Sequence, residues 1–166
     1  MSLIKQSPLL LEQGQTTKIT SPFGMRTIKG KTKMHSGVDL VGYNGSYMFT
    51  TAIINPFDKA VIVKTYKHGR VTWTAGKTII IMSLDEVERD YRVFAIFCHL
   101  AKIYDSPFSV LKKREVIGYM GNTGRSAGAH LHFGFAIVKD KDFANIGKLI
   151  SGKYAVDPVK WGLETD

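Results

Sequence analysis

The stretch from Gly118 to Gly134, GYMGNTGRSAGAHLHFG, leaves the chain few ways to fold. Gly118, Gly121, Gly124 and Gly128, interleaved with Asn122, Thr123 and Ser126, favour tight turns and close backbone approach over a regular helix. The stretch ends in His130-Leu131-His132-Phe133, an alternation of strand type, and strand residues two apart face the same side. Both imidazoles therefore share one face. Histidine is the commonest metal ligand and the usual proton shuttle near neutral pH, so the pair suits either task or one of each.

The rest of the chain continues in short strands and turns. Apolar alternation at residues 60–65, 71–73, 78–82 and 91–98, joined by links such as Lys67-His68-Gly69-Arg70 and Ala75-Gly76-Lys77, reads as antiparallel strands. Residues 27–33 read as a basic loop and 42–59 as a long loop with turns at Asn44-Gly45 and Asn55-Pro56. The sequence predicts one short helix, over residues 142–151. Asp85, Glu86 and Glu88 read as a solvated hairpin link, and His68 as an exposed turn residue. The expected fold class is all-β, an antiparallel sheet core with little helix. Residues 1–18 form an N-terminal extension packing over a single domain of residues 19–166, since 166 residues suit one core.

Cysteine usage narrows the chemistry. Cys98 is the single cysteine, so the chain has no intramolecular disulfide and no Cys-x-x-Cys zinc site. Any metal must be held by histidine and carboxylate. Cys98 itself lies in an apolar run, reads as a small core residue, and as a strand neighbour of His99 faces away from it.

Met34-His35-Ser36-Gly37-Val38-Asp39-Leu40 sets a histidine four residues before a carboxylate, and a turn or bulge at Ser36-Gly37 brings the two to a common point. With a second imidazole from the His-x-His strand they supply three protein ligands and leave a fourth zinc position open, the catalytic type of site. The net charge of +9 favours anionic partners. The basic residues are scattered and no zinc-finger, helix-turn-helix or RNA-recognition signature occurs, which argues against nucleic acid.

Taken in order, His35-x-x-x-Asp39, His99-Leu100 and Gly121-Asn-Thr-Gly124-Arg-Ser126-Ala-Gly128-Ala-His130-Leu-His132-Phe133 resemble the lysostaphin-type zinc endopeptidases that cut peptidoglycan peptides. The match runs from about residue 19 to 158. It implies an antiparallel β core crossed by a groove, of the duplicated-hybrid-motif kind, and one zinc per chain held by His35, Asp39 and His132. It also implies that His99 and His130 stay off the metal as catalytic residues. The chain departs from the family pattern at Arg114, where a glycine is common, and at Gly134, where a glutamate often stands. The loops at 42–59 and 65–75 also match poorly.

The expected partner is a peptidoglycan peptide, with anionic wall polymers attracted by charge. The first residues hold too short an apolar run for a signal peptide, and no stretch reaches transmembrane length. Action at the bacterial cell wall is thus expected after release by lysis or carriage on a virion, as in a phage lysin or virion-associated lysin. Two other classes compete: a wall-binding adaptor that keeps the fold without catalysis, and a sugar-phosphotransfer carrier with paired histidines, which has no need of Asp39. Metal content separates them from a zinc enzyme.

Overall fold

The computed structural model describes residues 2–48, 51–67, 74–104, 108–143 and 145–165. His68 and the strand expected at 71–73 lie outside these. Among the described residues thirteen strands follow in order: β1 (Thr16–Ser21), β2 (Gly24–Ile28), β3 (Lys31–His35), β4 (Gly37–Tyr43), β5 (Tyr47–Met48), β6 (Ala52–Ile54), β7 (Lys59–Tyr66), β8 (Lys77–Ser83), β9 (Tyr91–Leu100), β10 (Lys102–Ile103), β11 (Val110–Lys112), β12 (Val116–Tyr119) and β13 (Leu131–Lys139). The main sheet runs β1-β4-β13-β9-β8-β7-β11, with β5 paired to β4; β10-β12-β6 form a second sheet and β2-β3 a separate ribbon. Every strand pair is antiparallel.

Strand alternation explains why the main sheet has two different faces. One face presents Val38, Leu40, Ile79, Ile81, Phe97, Phe133 and Phe135, and these bury against Ile4, Leu9, Ile53 and Phe57 in the larger core. The other presents Ile80, Phe94, Ile96, Ala136 and Val138 to Leu149 of a single-turn helix, α1 (Gly147–Ile150). Asp39 and His132 belong by parity to this second face.

Several local expectations change. The helix expected over 142–151 is only α1, preceded by a 3-10 turn at Asp140–Asp142, because Phe143 leaves the helical path to stack on Phe94. The loop at 42–59 contains β5 and β6, since each finds an edge to pair with. The basic loop at 27–33 is a hairpin closed at Lys29 (φ 50) and Gly30 (φ 74), the left-handed pair that a tight two-residue turn requires. Asp85 is not simply solvated, for its carboxylate accepts the N–H groups of Asp58 and Lys59 at 3.0 and 2.8 Å. Arg114 stands in a left-handed turn (φ 61), a conformation glycine enters without steric cost.

Phe133 lies fully buried across the strand pair from Phe97, with ring centroids 5.4 Å apart. Phe133→Ala is expected to cost about 3 to 5 kcal/mol, read from urea denaturation midpoints at constant m-value.

Candidate metal centre and its flanking histidines

Register brings the first ligating side chains together. In the β4–β13 pair His132 stands opposite Asp39, so both project from the same face. Gly37, two residues before Asp39, stands opposite Gly134 in the same pair. A side chain at Gly37 would meet the Phe133 carbonyl at 2.5 Å and the His132 ring at 2.8 Å. His35 arrives from the end of β3, where its Nδ1–H donates to the Pro22 carbonyl at 2.7 Å. A carbonyl can only accept, so that contact fixes the tautomer and leaves the neutral ring's Nε2 as a lone pair.

Three donor atoms then converge: His35 Nε2 to His132 Nδ1 at 3.0 Å, His35 Nε2 to Asp39 Oδ1 at 3.1 Å, and His132 Nδ1 to Asp39 Oδ1 at 3.2 Å. While both rings are neutral, at most one proton lies among these three acceptors, an arrangement that a cation stabilises. Donors about 2.0 to 2.1 Å from a tetrahedral zinc would lie roughly 3.3 to 3.4 Å apart, close to the observed triangle. The donor set and its geometry fit zinc, and His35, Asp39 and His132 are the residues that could hold a metal ion. Burial opposes the charge of Asp39, but hydrogen bonds and attraction from His132 and His35 outweigh it and hold the carboxyl well below the usual range. Arg26 takes the other carboxylate oxygen, Oδ2, at 3.2 Å while donating to Ser21 Oγ at 2.6 Å.

His99 reaches the same side by breaking the strand rule. Lys77 pairs with Leu100 and Ile79 with Phe97, so β9 carries one extra residue between those pairs. His99 absorbs the extra residue at φ 63, a left-handed conformation that histidine enters more often than most non-glycine residues. Plain alternation would turn its ring toward the Phe97 core. The bulge turns it instead to the metal-side face, with its centroid 4.9 Å from His130 and 6.2 Å from His132.

The glycine-rich stretch fastens this ring. His99 Nδ1–H donates to the Thr123 carbonyl at 2.8 Å, and the Thr123 hydroxyl donates to Leu100 O and accepts from Lys77 N. Gly76 and Gly124 allow the crossing, since a Cβ on Gly124 would sit 2.3 Å from the Gly76 nitrogen. His130 is held likewise, Nδ1–H to the Gly128 carbonyl at 2.7 Å, with Nε2 3.5 Å from Asp39 Oδ1. His99 and His130 thus both spend Nδ1–H on backbone and keep Nε2 as an acceptor. Burial, only partly offset by the Thr123 hydrogen bond, pushes His99 down to about 4, so its ring is neutral at neutral pH.

Beside the five residues lies a cavity of about 360 Å³, bounded by Ser21, Asp39, Val41, Tyr47, Gly128 and His130. Cys98 plays no part in it. The thiol is buried in the smaller core and pushed up to about 12 by that burial, which makes it a packing residue. Sequence reasoning missed Arg26 and Thr123, whose only sequence signals were a lone arginine two residues past a Pro-Phe-Gly turn and a threonine among glycines.

Thr123→Val keeps the side-chain shape and removes the hydroxyl, leaving Lys77 N–H and Leu100 C=O without that partner. A loss of about 1 to 3 kcal/mol is expected by urea denaturation. A loss of only a few tenths would mean that the hydroxyl does not tie the glycine-rich stretch to β8 and β9.

Residues 33–145 match the model of Peptidase family M23. The chain is 31% identical over 119 residues to the DD-carboxypeptidase/endopeptidase Mpg of Neisseria meningitidis, covering 70% of this chain and 24% of that protein. Among solved structures, lysostaphin from Staphylococcus simulans superposes with a TM-score of 0.64 at 23% identity, over 97% of this chain and 55% of that one. A zinc-containing peptidase from Vibrio cholerae superposes with a TM-score of 0.60 at 21% identity, over 95% of this chain and 40% of that one. The fold is therefore the lysostaphin-like one, and the chain belongs to Peptidase family M23.

Proposed function

We propose that this chain is a zinc-dependent endopeptidase that cleaves a peptide bond in bacterial peptidoglycan, with His35, Asp39 and His132 as metal ligands and His99 and His130 as catalytic residues. The observation that carries the reading is the meeting of three ligand atoms that share at most one proton while the rings are neutral, flanked by two further imidazoles whose tautomers are fixed by backbone carbonyls. Family membership, the zinc-containing Vibrio relative and the named activity of Mpg support it. In this reading residues 19–166 form the peptidase unit and 1–18 its extension, with Ile4 and Leu9 closing the core. The cell wall is its place of action.

Zinc held by these donors would polarise the scissile carbonyl and lower the pKa of a water to about 7. The chain's own residues supply the rest. With Nδ1–H committed to Thr123 or Gly128, His99 and His130 each leave Nε2 as the position that would take the proton of the attacking water. The ring that takes the proton becomes a charged donor, able to return the proton to the leaving amine. The second ring, 4.9 Å away by centroid, would stabilise the developing oxyanion. Asp39 is kept ionised and oriented by its histidine and Arg26 contacts, so it serves as ligand and not as proton carrier.

His132→Ala is expected to purify with far less than one zinc per chain, measured by elemental analysis. Unchanged stoichiometry would remove His132 from the ligand set. His99→Ala and His130→Ala should each retain zinc, since three protein ligands remain, and lose about 10²- to 10⁴-fold in cleavage of purified peptidoglycan. The double variant should lose less than the product of the single losses, as groups acting together are non-additive. A zinc-free His130→Ala protein would make His130 a ligand, and a fully active one would make it a bystander.

A further inference from the structure

The β2–β3 ribbon has two chemically distinct faces. The register pairs Met25 with Met34 and Thr27 with Thr32 on one face, and Arg26 with Lys33 and Ile28 with Lys31 on the other. The second face is also the face of His35, two residues beyond Lys33. Arg26 and Lys33 are like charges directly across a strand pair, an arrangement that costs stability unless an anion lies over it. Residues 13–38 contain Lys18, Arg26, Lys29, Lys31 and Lys33 and no carboxylate. Among the described residues Arg26 pairs with Asp39, while no ion pair is recorded for Lys29, Lys31 or Lys33. The two strip lysines, Lys31 and Lys33, are exposed.

We propose that Lys33 and Lys31 form a docking strip for free carboxylates of the peptide being cleaved, read at about two and about four residues from the scissile bond. This rests on the peptidase reading above. The distances follow from strand geometry: at about 3.4 Å per residue, Lys33 lies roughly 7 Å and Lys31 roughly 14 Å along β3 from His35. An extended peptide leaving the metal centre along the ribbon advances at the same pace, so its side groups meet the lysines at every second residue. Continuity selects the ligand. The strip starts at His35, and Arg26 at its base touches Asp39, so its occupant is the same molecule whose bond lies at the centre. The anionic groups of a peptide are carboxylates. The neutral face, with Met25 and Met34 exposed, offers no such recognition.

The probes are soluble cross-linked muropeptides released from cell wall by a glycan-cleaving enzyme, either native or with their carboxylates converted to methyl amides. Steady-state kinetics on the zinc-loaded full chain give KM and kcat. Fluorescence anisotropy of labelled probes in a His130→Ala background gives Kd free of turnover. Amidation is expected to raise both KM and Kd about tenfold, with kcat changed less than twofold. In Lys31→Gln/Lys33→Gln the native and amidated probes should bind alike, and in Lys31→Arg/Lys33→Arg the preference should remain. A charge-matched control, Lys112→Gln/Lys141→Gln, alters β11 at the far edge of the main sheet and the turn after β13, and should keep the preference.

A tenfold preference surviving in Lys31→Gln/Lys33→Gln would overturn the strip, and so would its equal loss in the control, which would assign the effect to overall charge. If the wild-type chain cleaves neither probe yet the variant abolishes the binding preference, the lysines remain a carboxylate-docking strip for a bound peptide, while the peptidase reading and the register from a scissile bond fall. If it cleaves both without preference, the strip falls alone.

Discussion

The antiparallel pairing of β4 with β13 is the constraint on which the candidate centre rests, because it sets His132 across from Asp39. Side-chain direction along a strand has a period of two, so a slip of β13 by one residue would carry His132 to the face opposite Asp39. The same slip would drive Phe133 and Phe135 out of the larger core, which holds both with no exposed surface. The energy that keeps the register is therefore hydrophobic, while its product is polar. Gly37 and Gly134 face each other one step along, where the absence of side chains lets the His132 ring lie close against the backbone.

Against that rigid frame the site accumulates local costs. His99 holds a left-handed backbone, a state that costs on the order of 1 to 3 kcal/mol in a non-glycine residue. Three acceptor atoms stand 3.0 to 3.2 Å apart without protons enough to bridge them. Buried apolar surface on both sides of β9 and β13 offsets these terms, and a bound cation would turn the acceptor cluster from repulsive to attractive. Backbone carbonyls of Pro22, Thr123 and Gly128 recur in one role, each taking the Nδ1–H of a histidine and leaving Nε2 off the backbone. Loop shape thereby sets proton position, and proton position separates acceptors from donors before any substrate arrives.

The metal-side face of the sheet is divided between packing and chemistry. Phe94, Ile96, Ala136 and Val138 pack with Leu149 of α1 and with Phe143, while Asp39, paired with His132, borders the cavity. A longer helix over 142–151 would have followed the intrinsic preference of those residues, but stacking of Phe143 on Phe94 holds the segment to a single turn. The β2–β3 ribbon runs outward from the centre, with His35 at its base. Its alternation leaves lysines on the face shared with the metal centre and methionines on the other.

Much of this was legible in the chain. Alternating apolar runs announced antiparallel strands, glycine spacing from Gly118 to Gly128 announced a tightly crossing loop, and His130-x-His132 announced one shared face. His35 and Asp39 were recognisable together because four residues around a Ser-Gly turn is a local relation. Residues 42–59 and 27–33 read as loops because β5, β6 and the ribbon owe their strand character to partners, which local patterning does not reveal. In an unbulged β9 His99 would share a face with Phe97, whereas the bulge, which exists only relative to the neighbouring β8, turns it to the metal side. Arg26 and Thr123 acquire meaning only from Asp39 and His99, thirteen and twenty-four residues away along the chain. Residue type and period are properties of a segment and set the chemistry available. Register, tautomer and the face of a bulged residue are properties of paired segments, and only the assembled sheet decides them.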